Sequence, residues 1–287
     1  MRSLLLILML TSSLLVAGQS RTPLPDDIHP VELTAQQRPI PYPFLREHDV
    51  IWTTTLWKTI DSRELFNQFF YFPDDEFITF GKKALAYIIW DAVVAGEIPI
   101  YEDDNMYIAL DNEQFVKRFT KADTILLEIG YDEDDNELYE TVIRPRHFEG
   151  QEVLEYALRE AWYIERRDTK MDSRRLALAP LMERYRELGA GQEAIYLGVL
   201  PLFWIPMQHP AVRTLLVRHN AYIDGNMAAV PSWDWVFVNQ HYNAYTTRES
   251  NVYDRSIKDY LTGLDVIMES QEIESKVFEM GEEMWDY

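Results

Sequence analysis

No cysteine occurs in the 287 residues. Disulfides, cysteine nucleophiles and thiolate metal sites are thereby excluded, and the chain has to rely on its hydrophobic core. Long apolar runs are missing too. Beyond the first 18 residues the longest is AIYLGVLPLFWIPM, 14 residues at 194–207 with Pro201 and Pro206 inside it. A membrane helix needs about 20 apolar residues, so this run reads as buried strand and turn, and the chain is not expected to be an integral membrane protein. Basic charge is scarce, with 27 Lys and Arg against 48 Asp and Glu and a formal net charge of −21. Such a surface repels phosphate backbones and anionic headgroups, so nucleic acid is not an expected partner. It suits a basic partner, a cation-rich setting or simple solubility. In the first case charge steers association while buried aromatics hold it.

Recognisable catalytic motifs are lacking as well. There is no G-x-S-x-G elbow, no H-E-x-x-H and no phosphate-binding loop, and FGKKA at 80–84 has neither the glycine-rich lead nor the Ser or Thr. The histidines His29, His48, His147, His209, His219 and His241 are too widely spaced to form a local ligand pair. His48 beside Asp49 reads as a cap or surface pair, and Asp168 and Asp172 carry no signal in so acidic a chain. No metal, no cofactor and no enzymatic activity are expected. A hydrolase site assembled only in three dimensions stays open as a remote alternative.

What is present begins with an export signal. Arg2, the apolar residues 4–10 and 14–16, and then Ala17 and Gly18 have the layout of a signal peptide over residues 1–18. Residues 19–43 hold Pro23, Pro25, Pro30, Pro39, Pro41 and Pro43 without helical or strand period, and read as an extended arm. Residues 44–287 form the globular region. Asp49 looks like an N-cap, with Trp52, Leu56 and Ile60 on one face of a helix and Trp57 beside them. A second helix is expected over 82–95, ending at Gly96. TILLEIGYDEDDNELYETVI reads as a hairpin around an acidic tip at 132–137. That tip departs from a calcium loop, because Glu137 stands where glycine is required and Ile143 where the bidentate Glu belongs. AWYIERRDTKMDSRRLALAPLM reads as another hairpin turning near Lys170. The last third reads as helical: an aromatic-rich segment at 233–247, then Tyr260, Leu261, Leu264 and Met268, then a shifted stripe at Ile273, Val277, Met280 and Met284 that implies a bend or a second helix near 269–272. The fold class is α+β, mixed helices and antiparallel hairpins in one compact domain or two tightly packed lobes, with an extended proline-containing N-terminal arm.

The chain holds 8 Trp and 17 Tyr, with Arg46, Arg144, Arg159, Arg174, Arg213, Arg248 and Arg255 near them. Tyr, Trp and Arg are enriched at protein contacts and also serve in cores. The stiff arm favours assembly, since a preformed segment loses little entropy on docking. It is expected to anchor the subunit to a neighbour, so that deleting residues 19–43 leaves a folded protein that fails to assemble.

Specific residues resemble the GldN/PorN family of the gliding-motility and type IX secretion machinery. They are Pro41, Tyr42, Pro43, Arg46, Glu47, Asp49 and Trp52 at the entry, then Trp57, Ile60, Asp61, Arg63 and Glu64. Glu160, Trp162, Tyr163 and Glu165, then Arg174, Leu176, Leu178, Ala179 and Pro180, are similar to the family's E-D-W-F-F-D and R-I-x-G-I-A-P segments. Trp204 ends the LFW tripeptide; ESNVYDRSIKDYLTGLD holds Asn251, Tyr253, Asp254 and Arg255; EEMWDY holds Trp285. Ala161 stands for an acidic residue, Ala177 for a glycine and Arg175 for an apolar residue of the family pattern, while the stretches around 132–137 and VPSWDWVFVNQ also diverge. The resemblance implies a non-enzymatic periplasmic subunit on the inner side of the outer membrane. It would form a ring-like hetero-oligomer with an outer-membrane lipoprotein of the GldK/PorK type, connected to the GldL/PorL and GldM/PorM motor proteins. A periplasmic ligand- or glycan-binding module is the alternative from the aromatic content.

Overall fold

A computed structural model of the chain describes residues 38–72, 83–120, 122–131, 137–145, 147–167, 170–186, 195–223 and 231–283. The expected signal peptide, the expected arm up to residue 37, the acidic tip at 132–136 and Trp285 lie outside the described residues. In chain order the strands are β1 (Val50–Asp61), β2 (Ile100–Tyr101), β3 (Ala109–Leu110), β4 (Ala122–Tyr131), β5 (Glu137–Pro145), β6 (Glu155–Glu165), β7 (Met171–Arg186), β8 (Ile195–Pro201), β9 (Ile205–Pro206) and β10 (Tyr245–Glu249). The helices are α1 (Leu85–Val94), α2 (Asn112–Phe119), α3 (Pro210–Arg218), α4 (Trp233–Val238) and α5 (Leu264–Glu283). The organising sheet is antiparallel, in the order β10-β1-β6-β7-β8, with β9 also pairing β7. The class is α+β.

The first expected helix is a strand. Val50–Asp61 pairs with β6 along almost its whole length and with β10 on its other edge. Spacings of four and eight residues are even numbers, so Trp52, Leu56 and Ile60 satisfy the period of two as well as the helical one. Three consecutive threonines, at 53–55, tip the choice, because β-branched side chains suit a pleated surface. Alternation therefore puts Trp52 and Trp57 on opposite faces, and Thr54 and Lys58 on the face of Leu56. Asp49 closes a short 3-10 turn, Glu47–Asp49, instead of capping a helix.

Of the other expectations, some hold and some do not. α1 ends with Gly96 at φ 69° and Glu97 N–H donating to the Ala92 carbonyl at 2.9 Å, a left-handed helix stop that favours glycine. β4 and β5 pair as the expected hairpin, and β6 and β7 pair across the turn near Lys170. The run 194–207 divides. Phe203, Ile205 and Met207 are buried, but β8 is exposed at Ile195, Tyr196, Leu197, Val199 and Leu200, because β8 lies at the sheet's edge and is bulged beside Gly198. The segment 233–247 is helix only to Val238, and β10 follows. α5 is one continuous helix with no bend at 269–272. The apparent phase shift is two faces of one cylinder: Ser270, Ile273, Val277 and Gly281 point inward and Leu264, Ile267 and Met268 outward.

The two sheet faces carry different cores. On one face, Ile60, Tyr156, Leu158, Leu178 and Met182 pack under α1, α3 and α4, with Phe70 edge-on to Trp233 at 5.1 Å. Further along that face, Leu56, Trp52, Trp162 and Met171 receive Ile273 and Val277 of α5. Between these clusters sits a buried polar knot. Arg175 and Glu160 are directly opposite across β6 and β7, and each is 1% exposed. Arg175 Nε lies 3.3 Å from Glu160 Oε1, which also accepts the Tyr242 hydroxyl at 2.7 Å, while Glu160 Oε2 accepts Trp162 Nε1 at 3.0 Å. The guanidinium donates further to the carbonyls of Ser173 and Val238. Lys58 Nζ, 4.0 Å from Glu160, reaches Glu274 of α5 at 3.4 Å. Burial works against the charge on Arg175, but Tyr242 and Glu160 outweigh it and keep the guanidinium protonated. Burial and then Glu160 push the Tyr242 hydroxyl well above the usual phenol range, so it stays a donor.

Removing one partner of such a pair strands a buried charge. Arg175→Met is expected to cost about 3–5 kcal/mol, and Arg175→Met with Glu160→Leu to recover a large part of that loss. Urea unfolding of the two variants beside the parent checks this. Equal stability of the single and double variants would show that the pair is not coupled.

Candidate protein-interaction surface

Three clusters gather most of the expected site residues that the structure describes. The first is a strap. Residues 38–44 run over the body of the chain, where Arg213 clasps them. Its Nη2 donates to the Ile40 carbonyl at 2.6 Å, and its guanidinium pairs with Asp234 at 2.8 Å. Asp234 also accepts the Ile40 N–H at 2.8 Å. The Tyr42 ring lies 4.7 Å from the Arg213 guanidinium and 5.6 Å from that of Arg174, which donates to the Pro43 carbonyl and sits 5.4 Å from the Tyr163 ring. Tyr42 is thus held by two cations. Pro41 and Pro43 stay exposed, as does Arg46, whose carbonyl accepts the Asp49 N–H at 3.0 Å. Residues 38–43, the described end of the expected arm, dock on their own chain; residues 19–37 lie outside the described residues. Ser232 caps α4 and fixes Asp234 in the first turn, against Arg213 of α3.

The second cluster surrounds Trp57 on the other sheet face. Register puts Arg159 of β6 and Arg248 of β10 directly opposite Trp57, one on each side. Their guanidinium carbons lie 5.4 and 3.6 Å from the indole ring. Asp104 closes the group. Its Oδ2 accepts Trp57 Nε1 at 2.5 Å and Arg248 Nη2 at 2.6 Å, and its carbonyl accepts Arg159 Nη1 at 2.8 Å. The Asp104 turn is held in place because Tyr101 and Trp204 exchange both backbone hydrogen bonds, at 2.9 and 2.8 Å. Trp204 packs with Ala177, Ala179 and Trp57. Trp52 and Trp162 belong instead to the α5 cluster.

The third cluster is the loop after β10. Asn251 Oδ1 accepts the N–H groups of Tyr253 and Arg255 at 3.0 and 3.1 Å, and its Nδ2 donates to the carbonyls of Glu249 and Arg255, both at 2.9 Å. Asp254 takes the left-handed conformation at φ 49° and pairs with Arg248 at 3.0 Å, which links this loop to the Trp57 cluster. Ser256 and Asp259 form a reciprocal cap, and that backbone hydrogen bond holds the Asp259 carboxyl below its usual range. Rigidity here displays apolar groups. Val252 is 98% exposed and Tyr253 74%, with Arg255 stacked 4.7 Å from the Tyr253 ring. A recess of about 270 Å³ opens between the loop and α5, lined by Tyr253, Arg255, Tyr260, Glu269 and Lys276 among others. Asp104 and Asp234 were invisible in the sequence, because their partners are 47 and 21 residues away.

Two outcomes are expected. Trp57→Phe keeps the ring between its arginines but takes a donor from Asp104, costing about 1 kcal/mol in thermal unfolding. Tyr42→Ala releases the strap and leaves the body folded. Limited proteolysis would then cut within residues 38–44 roughly tenfold faster, as the loss of two cation–ring contacts predicts.

Among the described residues no helix is long and apolar enough to cross a membrane. The family model described as "Gliding motility associated protein GldN" matches residues 45–286. No curated protein matches the chain.

Proposed function

The chain belongs to the GldN family, and from that premise we propose that it is a non-enzymatic structural subunit of the envelope machinery for gliding motility and type IX secretion. In this reading it is exported to the periplasm and assembles beneath the outer membrane with a lipoprotein of the GldK/PorK type, in contact with the GldL/PorL and GldM/PorM motor proteins. The observation that carries it is the match over 242 of the 287 residues, from 45 to 286. The surface supports it. Exposed aromatics stand on several elements: Phe44, Tyr107, Tyr253 and Phe278, with Phe66 and Trp235 flanking His241 at 5.0 and 5.6 Å, as a subunit with several neighbours needs. The rigid Asn251 loop offers Val252 and Tyr253 as ready-made anchors, since a group already ordered in the free protein loses little entropy on binding.

The test is the mass of the particle that co-purifies with the tagged mature chain from gently solubilised envelopes. A megadalton-scale particle holding an outer-membrane lipoprotein is expected, and Val252→Ser with Tyr253→Ser should shrink its yield without lowering the melting temperature of the isolated chain. A lone monomer from intact envelopes would overturn the proposal and favour the ligand-binding alternative.

A further inference from the structure

α5 carries one more apolar face than its fold requires. Ile273 and Val277 anchor it to the sheet, and Gly281 allows close approach, since a Cβ there would stand 3.3 Å from Met171. On the outward side Leu264, Ile267, Met268 and Phe278 are 77%, 55%, 66% and 66% exposed. Leu264, Met268, Gln271, Ser275 and Phe278 follow one another at alternating steps of four and three residues, the spacing of a two-helix seam. No charge interrupts this row over about 21 Å of helix, at 1.5 Å per residue, although the helix bears seven carboxylates and a single lysine. Asp265, Glu272 and Glu279, all exposed, recur every seven residues and form an acidic rail along one side of the row, with Lys276 paired to Glu272 at 2.8 Å and the rail keeping a net negative charge.

We propose that this outward row is a docking seam for a basic amphipathic helix of another protein. Apolar side chains of that helix would cover Leu264, Met268 and Phe278. Its Lys or Arg residues would lie against the rail, as charged positions do beside a coiled-coil seam. Gln271 and Ser275 at the middle set register more than strength. A second copy of this chain fits poorly, because it would bring its own rail and the net charge of −21 against these carboxylates. An anionic bilayer is repelled for the same reason. The seam does not depend on the ring assembly proposed above.

The experiment uses the full mature chain and two synthetic amphipathic peptides that share leucines at seam positions. One carries lysines beside the seam and the other glutamates. Titration calorimetry is expected to show the lysine peptide binding about tenfold or more tighter than the glutamate peptide, with the preference shrinking as salt screens the charges. Met268→Ser with Phe278→Ser should weaken binding about tenfold or more and leave thermal unfolding unchanged, because both side chains are exposed. Asp265→Lys, Glu272→Lys and Glu279→Lys together should reverse the preference. Equal binding of the two peptides, or a preference that survives reversal of the rail, overturns the proposal. So does a seam used otherwise: phosphatidylcholine vesicle binding, or dimerisation in sedimentation, that Met268→Ser with Phe278→Ser abolishes. Failure of the ring reading would appear separately, as a lone monomer from envelopes alongside normal peptide binding.

Discussion

Glu160 and Arg175 face one another across β6 and β7 with almost no access to water. Neither charge is tolerable there without the other, so the register of the two strands and the position of everything bonded to the pair are tied together. Tyr242 and the Val238 carbonyl bring in the segment after α4, Trp162 brings in the far end of the sheet, and Lys58 passes the connection to Glu274 of α5. The knot lies where two apolar clusters meet on one sheet face. The buried arginine is accepted there because acceptors surround its guanidinium.

Arginine against aromatic recurs on the rest of the surface with different results. Around Trp57 the two cations come from neighbouring strands and share Asp104, so β10, β1, β6 and the Asp104 turn become one unit. Around Tyr42 they come from β7 and α3, and what they fasten is an irregular segment. At Tyr253 the arginine is local, and the ring stays in solvent. The first two arrangements stabilise the body. The third leaves apolar surface in solvent, the kind of exposed patch that marks interaction sites.

Much of this was legible in the chain. The stop at Gly96 and the turn near Lys170 rest on local chemistry that sequence displays, as does the stacking of Arg255 on Tyr253 two residues away. β1 was misread because its apolar spacing fits both periods, and only partners on both edges decide between them. α5 was misread as bent because one helix carries two apolar faces, and a sequence does not say which of them meets the core. The tether of the strap, and the parts played by Asp104, Asp234 and Glu274, depend on contacts between residues far apart in the chain, and no local pattern announces those.

The strap also determines how the molecule answers to force. Residues 45–49 lead directly from Phe44 into β1, which is hydrogen-bonded on both edges. Tension entering at Arg38 meets the Arg213–Asp234 clasp and the Tyr42 ring before it reaches the sheet. Once past them it pulls β1 lengthwise against β6 and β10, a direction in which many ladder bonds must yield together and not one at a time. A protein belonging to a family named for movement is thus built, at this end, like a rope cleated before it is knotted.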